Sequence, residues 1–336
     1  MMNNVYRFLF ILGFLSFGAV IIVGSAEVTF TDSVGETITL PHSVERVIGL
    51  NSDAAEAMVV LGSGDKVIGI TESTLSDSAL MSHLPNAVSV GNWQTPSVER
   101  ILELKPDAVI SYSSSKPKNA DQLEAAGINL IYLDFYKFNT LEHDISAIGT
   151  MIGAEEKADE YISFMKKWED EVTSRIGNIS GEEMPTAYIE GYSEYSAQGK
   201  DSGIDILMNL AGGKNLAASL GEQWPKVTPE WVITENPSVI IKTASVKPDK
   251  TLEQVREDVL TRPGFESLNA IKEKNVYVLN GELIYGPRSP AGLMYLAKAL
   301  HPEEFSDVNP DDVLKQYADN FVSGMEEGDY FAPLAF

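Results

Sequence analysis

A pattern written twice restricts the fold of this 336-residue chain more than any other feature. Trp93, Glu99 and Pro106 recur 131 residues later as Trp224, Glu230 and Pro237, so both copies read W-x5-E-x6-P. An apolar triplet follows each copy, Ala108-Val109-Ile110 and Val239-Ile240-Ile241. The chain has 4 tryptophans, so a Trp matched in register with Glu and Pro points to structural duplication. The local physics repeats as well. Ser97 and Thr228 stand where an N-cap hydroxyl belongs, Val98 and Pro229 open a short helix, and Glu99 and Glu230 fall in its first turn. The proline then leads into a strand.

The rest of the chain reads as two such units. Asp32-Ser33-Val34-Gly35 is turn chemistry between short strands at Val28–Thr31 and Thr37–Leu40. Strand and helix patterns then alternate: strands at Val47–Leu50, Val67–Ile70, Asp107–Tyr112 and Ile128–Leu133, and helices at Asp53–Leu61, with Asp53 as cap, and Ala120–Ala126. Such alternation predicts a parallel sheet covered by helices. Leu141–Ile152 and Glu155–Ile176 then read as consecutive helices. The second, at 1.5 Å per residue, would span about 33 Å, the width of a small domain. Alternation resumes with strands at Ala187–Gly191, Val239–Lys242 and Val276–Leu279, and helices at Ile204–Leu210, Thr251–Leu260 and Ala291–Leu300. The expected fold is α/β: two Rossmann-like lobes with parallel sheets, joined by a single long α-helix, with a ligand cleft between them. The expected divisions are a signal peptide over 1–26, an N-terminal lobe over 27–138, a helical linker over 139–177 and a C-terminal lobe over 178–300. A tail over 301–336 carries one more amphipathic helix near Asp311–Phe321.

Composition and motifs narrow the function. Lys and Arg total 25 against 49 Asp and Glu, a formal charge of −24, which repels phosphate backbones and excludes a nucleic-acid partner. With 0 cysteines there is no disulfide, thiolate metal site, Cys nucleophile or lipid-modified Cys. Phe8–Val23 is an uncharged apolar run followed by Gly24-Ser25-Ala26, the pattern of a secretory signal cut after Ala26. The alternative is a retained membrane anchor; either way the chain would work outside the cytoplasm, in the periplasm or on the outer face of the cell membrane. No Gly-x-Ser-x-Gly elbow, Walker A or His-Glu-x-x-His motif is present. Ser113–Lys116 and Ser163–Lys166 satisfy Ser-x-x-Lys without a partner Lys-Thr-Gly, so no catalytic residues and no enzyme activity are expected. His42, His83, His143 and His301 are scattered and form no ligand spacing. Asn178-Ile179-Ser180 is a glycosylation sequon.

In two lobes of equivalent topology, equivalent loops can face each other across a cleft. Trp93 and Trp224 would then form opposing aromatic walls, and Glu99 and Glu230 would project from one rim. The bland alternatives are core packing for the tryptophans and helix-dipole complementarity for the glutamates.

Glu45-Arg46-Val47-Ile48, Gly64-Asp65-Lys66-Val67-Ile68-Gly69 and Ser97-Val98-Glu99-Arg100-Ile101 with Lys105-Pro106-Asp107 carry a resemblance that the second half repeats. There the matching segments are Leu210-Ala211-Gly212-Gly213-Lys214-Asn215, Trp224–Glu230, Asn236-Pro237, Arg262-Pro263-Gly264-Phe265 and Asn275-Val276-Tyr277. Over roughly residues 28–301 the chain resembles the periplasmic-binding-protein family that serves iron–siderophore, haem and cobalamin ABC importers. That resemblance implies two lobes on a stiff helix, modest closure, and a ligand held between them: a metal chelate, either a ferric complex or a corrinoid. It implies ligand contact at Asn51, Ser52, Trp93, Trp224, Tyr285 and Arg288. Tyr192 and Tyr195, after a second-lobe strand, would add aromatic surface. It implies that Glu99 and Glu230 dock on arginines of a permease dimer whose partner subunits hydrolyse ATP. The chain itself would be a monomer with no resident cofactor or metal. Arg288 is the one strong basic candidate for the cleft, which favours a near-neutral corrinoid over an anionic ferric chelate. A receptor for a bare metal ion, and a sensor or adhesion protein reusing the fold, are the competing readings.

Overall fold

Why the repeat exists becomes visible in the computed structural model, which describes residues 27–245 and 250–322. The signal segment, and with it the choice between cleavage and anchor, lies outside the described residues.

An antiparallel hairpin of β1 (Val28–Thr31) and β2 (Thr37–Leu40) precedes the first parallel sheet. That sheet is built from β3 (Val47–Gly49), β4 (Val67–Ile70), β5 (Val88–Ser89), β8 (Ala108–Ser111) and β9 (Leu130–Tyr132), in the order β5-β4-β3-β8-β9. A small hairpin of β6 (Gly91–Asn92) and β7 (Thr95–Pro96) stands apart from it. The second sheet is built from β10 (Thr186–Glu190), β11 (Lys214–Asn215), β12 (Val239–Ala244) and β13 (Val276–Asn280), all parallel, in the order β11-β10-β12-β13. The core of the first sheet, β4-β3-β8-β9, has the same connectivity. β8 and β12, which follow the two copies of W-x5-E-x6-P, hold the equivalent place in each. Both are buried along their whole length, as β4 is, because helices cover both faces of a parallel sheet.

The first lobe carries α1 (Ser52–Val60), α2 (Glu72–Leu75), α3 (Ser78–Ser82), α4 (Val98–Leu104) and α5 (Ala120–Ala125). α6 (Phe138–Ile152) ends in Gly153 at φ +71, a left-handed cap that turns the chain into α7 (Glu155–Ile176). The 22 residues of α7 match the sequence reading, and Tyr161, Phe164, Met165, Val172 and Ile176 form its buried stripe. The second lobe carries α8 (Gly203–Leu210), α9 (Pro229–Glu235), α10 (Leu252–Leu260), α11 (Asn269–Lys272) and α12 (Ser289–Leu300), and the tail carries α13 (Pro310–Phe321).

One buried apolar cluster runs through both lobes, from Val47 and Met58 through Ile145 and Phe164 to Ile241, Leu293 and Tyr317. The tail helix belongs to that cluster. Phe321 meets Tyr161 at 5.5 Å and Phe164 at 5.3 Å, both edge-on, and the Tyr317 hydroxyl donates to Glu56 on α1. α13 therefore closes a core to which both lobes contribute.

Candidate functional site

Each sheet reverses its strand order once in its middle. From β3 the chain moves outward through β4 to β5, then returns on the other side as β8 and β9; from β10 it moves to β11, then returns as β12 and β13. In open parallel sheets, ligands bind in the crevice beyond the C-terminal ends of the strands that flank such a reversal. Ser52 and Asp53 lie just beyond β3, Tyr112 follows β8, and Tyr192 lies just beyond β10. All 4 line one cavity of about 330 Å³.

The repeated loops close over it. Trp93 sits at the tip of the β6–β7 hairpin, which Gly91 enters at φ +93. Trp224 lies two residues before Lys226, which bridges to Ser196 in the loop after β10. Both tryptophans line the cavity, and Trp224 keeps 59% of its surface exposed, far more than a core role would leave. Tyr136 and Tyr285 add further aromatic surface. Tyr192 rests over Gly281, where any Cβ would collide with its phenol group.

Ser52, Trp93, Tyr192, Trp224 and Tyr285 are thus brought together as the sequence predicts. Asn51 and Arg288 are not, and both are corrections. Asn51 is 3% exposed, and its Oδ1 accepts from the Ala54 N–H at 2.6 Å, capping α1. That is the cap the sequence reading gave to Asp53, whose carboxylate instead turns to the cleft. Arg288 is 2% exposed. Its Nε and Nη2 donate to the two oxygens of Glu56 at 2.6 and 2.8 Å, and its Nη1 donates to Glu282 at 2.9 Å. A guanidinium out of water must be paired, and this one spends its donors on protein carboxylates. Tyr195 also faces inward: it meets Phe265 edge-on at 6.3 Å and lies under the Arg262 guanidinium at 5.2 Å.

Arg262, from the Arg-Pro-Gly-Phe segment, explains how the Tyr192 loop is held. Its two terminal nitrogens donate to Glu190 at 2.8 Å each, and Glu190 also accepts from the Tyr188 hydroxyl at 3.0 Å and the Tyr195 N–H at 2.9 Å.

Glu99 and Glu230 stand exposed in the first turns of α4 and α9. Ser97 caps the first through the Arg100 N–H, and Thr228 caps the second through the Trp231 N–H, each at 3.2 Å. Hydrogen bonds from its own N–H and the Thr228 hydroxyl hold the Glu230 carboxyl below the usual range. Neither glutamate lines the cavity.

Asp53, Tyr112, Tyr136 and Glu282 are cleft residues that the sequence reading missed. Tyr112 carried a usable signal, as the residue that follows a buried parallel strand at the reversal. Tyr136 and Glu282 carried none. The Tyr112 hydroxyl donates to Asp53 Oδ2 at 2.9 Å. Burial pushes the Asp53 carboxyl up to about 7; the Tyr112 hydrogen bond opposes this and the charge of Glu56 adds to it. Burial and the neighbouring Asp53 charge likewise push Tyr112 well above the ordinary phenol range.

These shifts set a pH dependence. An aspartate that titrates near 4 when unfolded and about 7 when folded binds its proton more tightly in the native state. Its contribution is full below about pH 4 and is lost as pH rises to about 7. Asp53→Asn should therefore raise stability at about pH 8 by roughly 1–3 kcal/mol, the upper part of the full linkage being discounted for partial exposure, and leave it little changed near pH 4. Urea unfolding at the two pH values measures both numbers.

Comparison with known proteins agrees with this architecture. The family model described as periplasmic binding protein matches residues 47–283. An uncharacterized ABC transporter substrate-binding lipoprotein of Bacillus subtilis, YvrC, is 30% identical over 288 residues, covering 83% of this chain and 87% of that protein. The molybdate-binding protein MolA of Haemophilus influenzae is 23% identical over 341 residues, covering 93% and 94%. A vitamin B12-binding protein of Yersinia pestis is 28% identical over 210 residues, covering 61% and 71%. Among solved structures, the TroA-like periplasmic binding protein FepB from Veillonella parvula superposes with a TM-score of 0.74 at 25% identity, covering 88% of this chain and 96% of that one.

Proposed function

This chain belongs to the periplasmic binding protein family, and from that premise we propose that the solute it captures for an ABC transporter is a metal chelate of the corrinoid kind. The observation that carries this reading is the lining of the cleft. Two tryptophans from equivalent loops and 4 tyrosines surround it, and among the described lining residues none is Lys or Arg. An anionic ferric chelate or an oxyanion calls for cationic donors, whereas a broad, near-neutral macrocycle calls for aromatic faces. The relative that binds vitamin B12 supports the same choice. The bare-ion alternative has less support: among the described residues, no group of 3 or more His, Asp or Glu stands close enough to hold a metal.

Delivery would use the two outer glutamates, one per lobe, on a scaffold stiffened by α7 and the shared core. Charge-assisted hydrogen bonds to permease arginines would set both position and orientation. The protein would act outside the cytoplasm; among the described residues no helix is long and apolar enough to cross a membrane.

Thermal unfolding with cyanocobalamin, haem and a panel of ferric siderophores tests the ligand class. A ligand at 100 times its dissociation constant adds about 2.7 kcal/mol to stability. A shift with cyanocobalamin supports the corrinoid reading, and a shift confined to an anionic ferric chelate overturns it. Trp93→Ala and Trp224→Ala should each weaken binding of the stabilising compound by about tenfold, as loss of an aromatic anchor does. Unchanged titration isotherms would return both residues to a structural role.

A further inference from the structure

Among the described residues, the charges around the cleft do not balance. Asp53 and Glu282 line it, and Glu56 lies next to Asp53 on α1. Arg288 is the guanidinium among them: it binds Glu56 with two nitrogens and Glu282 with a third, and Asp77 comes within 4.0 Å of it. These 4 carboxyls and one guanidinium come from both lobes, and of them Asp53 and Glu282 line the cavity. Among the described residues, the other titratable groups that line the cavity beside Asp53 and Glu282 are phenols: Tyr112 from the end of β8, and Tyr192, Tyr285 and Tyr136, the last with Lys137 Nζ 5.3 Å from its ring. Phenol and indole faces also carry negative electrostatic potential. Gly286, at φ +64, lies against the Asp53 carboxyl, where a Cβ would stand 3.1 Å from Oδ1. A bare backbone there lets the second lobe close on the carboxyl, and the one positive charge it brings, that of Arg288, is divided among Glu56, Glu282 and Asp77.

We infer that the cleft selects a chelate of net positive charge, which supplies to the Asp53 carboxylate that Tyr112 holds in place the positive charge that Arg288 divides among other carboxyls. This rests on the metal-chelate reading above and narrows it to one sign of charge. Aromatic faces bind neutral and cationic macrocycles over the same area, so Asp53 is the residue that tells them apart. Its proton must leave when a cation binds. The preference should therefore grow as pH rises towards about 7, where the carboxyl ionises.

Two matched pairs of chelates test this by titration calorimetry on the whole protein. One is aquocobalamin, cationic at its metal, against neutral cyanocobalamin. The other is ferrioxamine B, a ferric trihydroxamate with a free ammonium, against the ring-closed neutral ferrioxamine E. A ferric tris-catecholate is the anionic probe. Within whichever pair binds, the cationic member should be favoured by about tenfold near pH 7, and that preference should fall by about tenfold on going to about pH 5.5. Asp53→Asn should bring the ratio close to one at both pH values. Tyr112→Phe removes the hydrogen bond that favours the ionised carboxyl, so it should shrink the preference at about pH 7 and move its rise to higher pH. A merely structural tyrosine would lower both affinities without shifting that profile.

Equal affinities within the pair, a ratio that survives Asp53→Asn, or tighter binding of the tris-catecholate overturns the charge preference while leaving a chelate receptor standing. Failure of every chelate to bind overturns the chelate reading, and the charge preference with it.

Discussion

Arg288→Met should lower the free energy of unfolding by about 3–5 kcal/mol. The variant leaves Glu56, 5% exposed, without the two guanidinium bonds that accompany its burial. The hydroxyl of Tyr317 would remain as a neutral donor to it. The cost comes from stranding a carboxylate out of water, so removing both charges should restore most of it. Glu56→Met combined with Arg288→Met is expected within about 1–2 kcal/mol of the parent by urea unfolding. A double variant as unstable as the single would mean that the loss comes from packing. Because Glu56 belongs to the first lobe and Arg288 to the second, breaking the pair should also loosen the lobes. Hydrogen exchange at α1 and α13 should report this directly.

Glu99→Ala with Glu230→Ala should abolish transport in cells while leaving the purified protein's ligand affinity unchanged. Each side chain is exposed and distant from the lining of the cleft, so truncation creates no cavity and removes no ligand contact. On the docking reading each substitution leaves a permease arginine without its partner, a loss of about 2–5 kcal/mol apiece, so uptake should fall at least about a hundredfold. Each single variant should show an intermediate loss. Uptake of labelled chelate in whole cells and calorimetry on the isolated protein separate the two steps. An equal fall in affinity would place the glutamates in ligand binding, and undiminished uptake would leave them as helix-terminus charges.

Both predictions concern side chains, but they differ in how far sequence could reach them. The two glutamates were legible because each belongs to a local pattern: an N-cap hydroxyl, a first-turn acid and a following proline lie within about ten residues of one another. The two tryptophans were legible for the same reason, and the structure places both on one cavity. Arg288 was misread because its basicity is visible in sequence while its partner is not. Glu56 lies 232 positions away on another lobe, in a helix whose pattern marks it as an ordinary polar residue. Asp53 was misread by a smaller margin. Two residues before it, Asn51 offers an equally good capping oxygen, and only the backbone geometry at Asn51, φ −132 and ψ 154, decides which side chain caps α1.

Read residue by residue, the chain already shows a duplicated α/β structure, a 22-residue helix after the first lobe, and two loops that bear matched aromatic and acidic residues. Those properties follow from short-range rules of periodicity, capping and turn chemistry, together with a repeat readable by direct comparison. Folding in three dimensions adds that α13 completes a core shared by both lobes, that Arg288 pairs with Glu56 across the lobes, and that Asp53 and Tyr112 meet at a strand-order reversal. Burial makes the difference. Whether a charged side chain faces a ligand or a partner depends on which groups from distant segments accompany it out of water, and sequence spacing does not encode that.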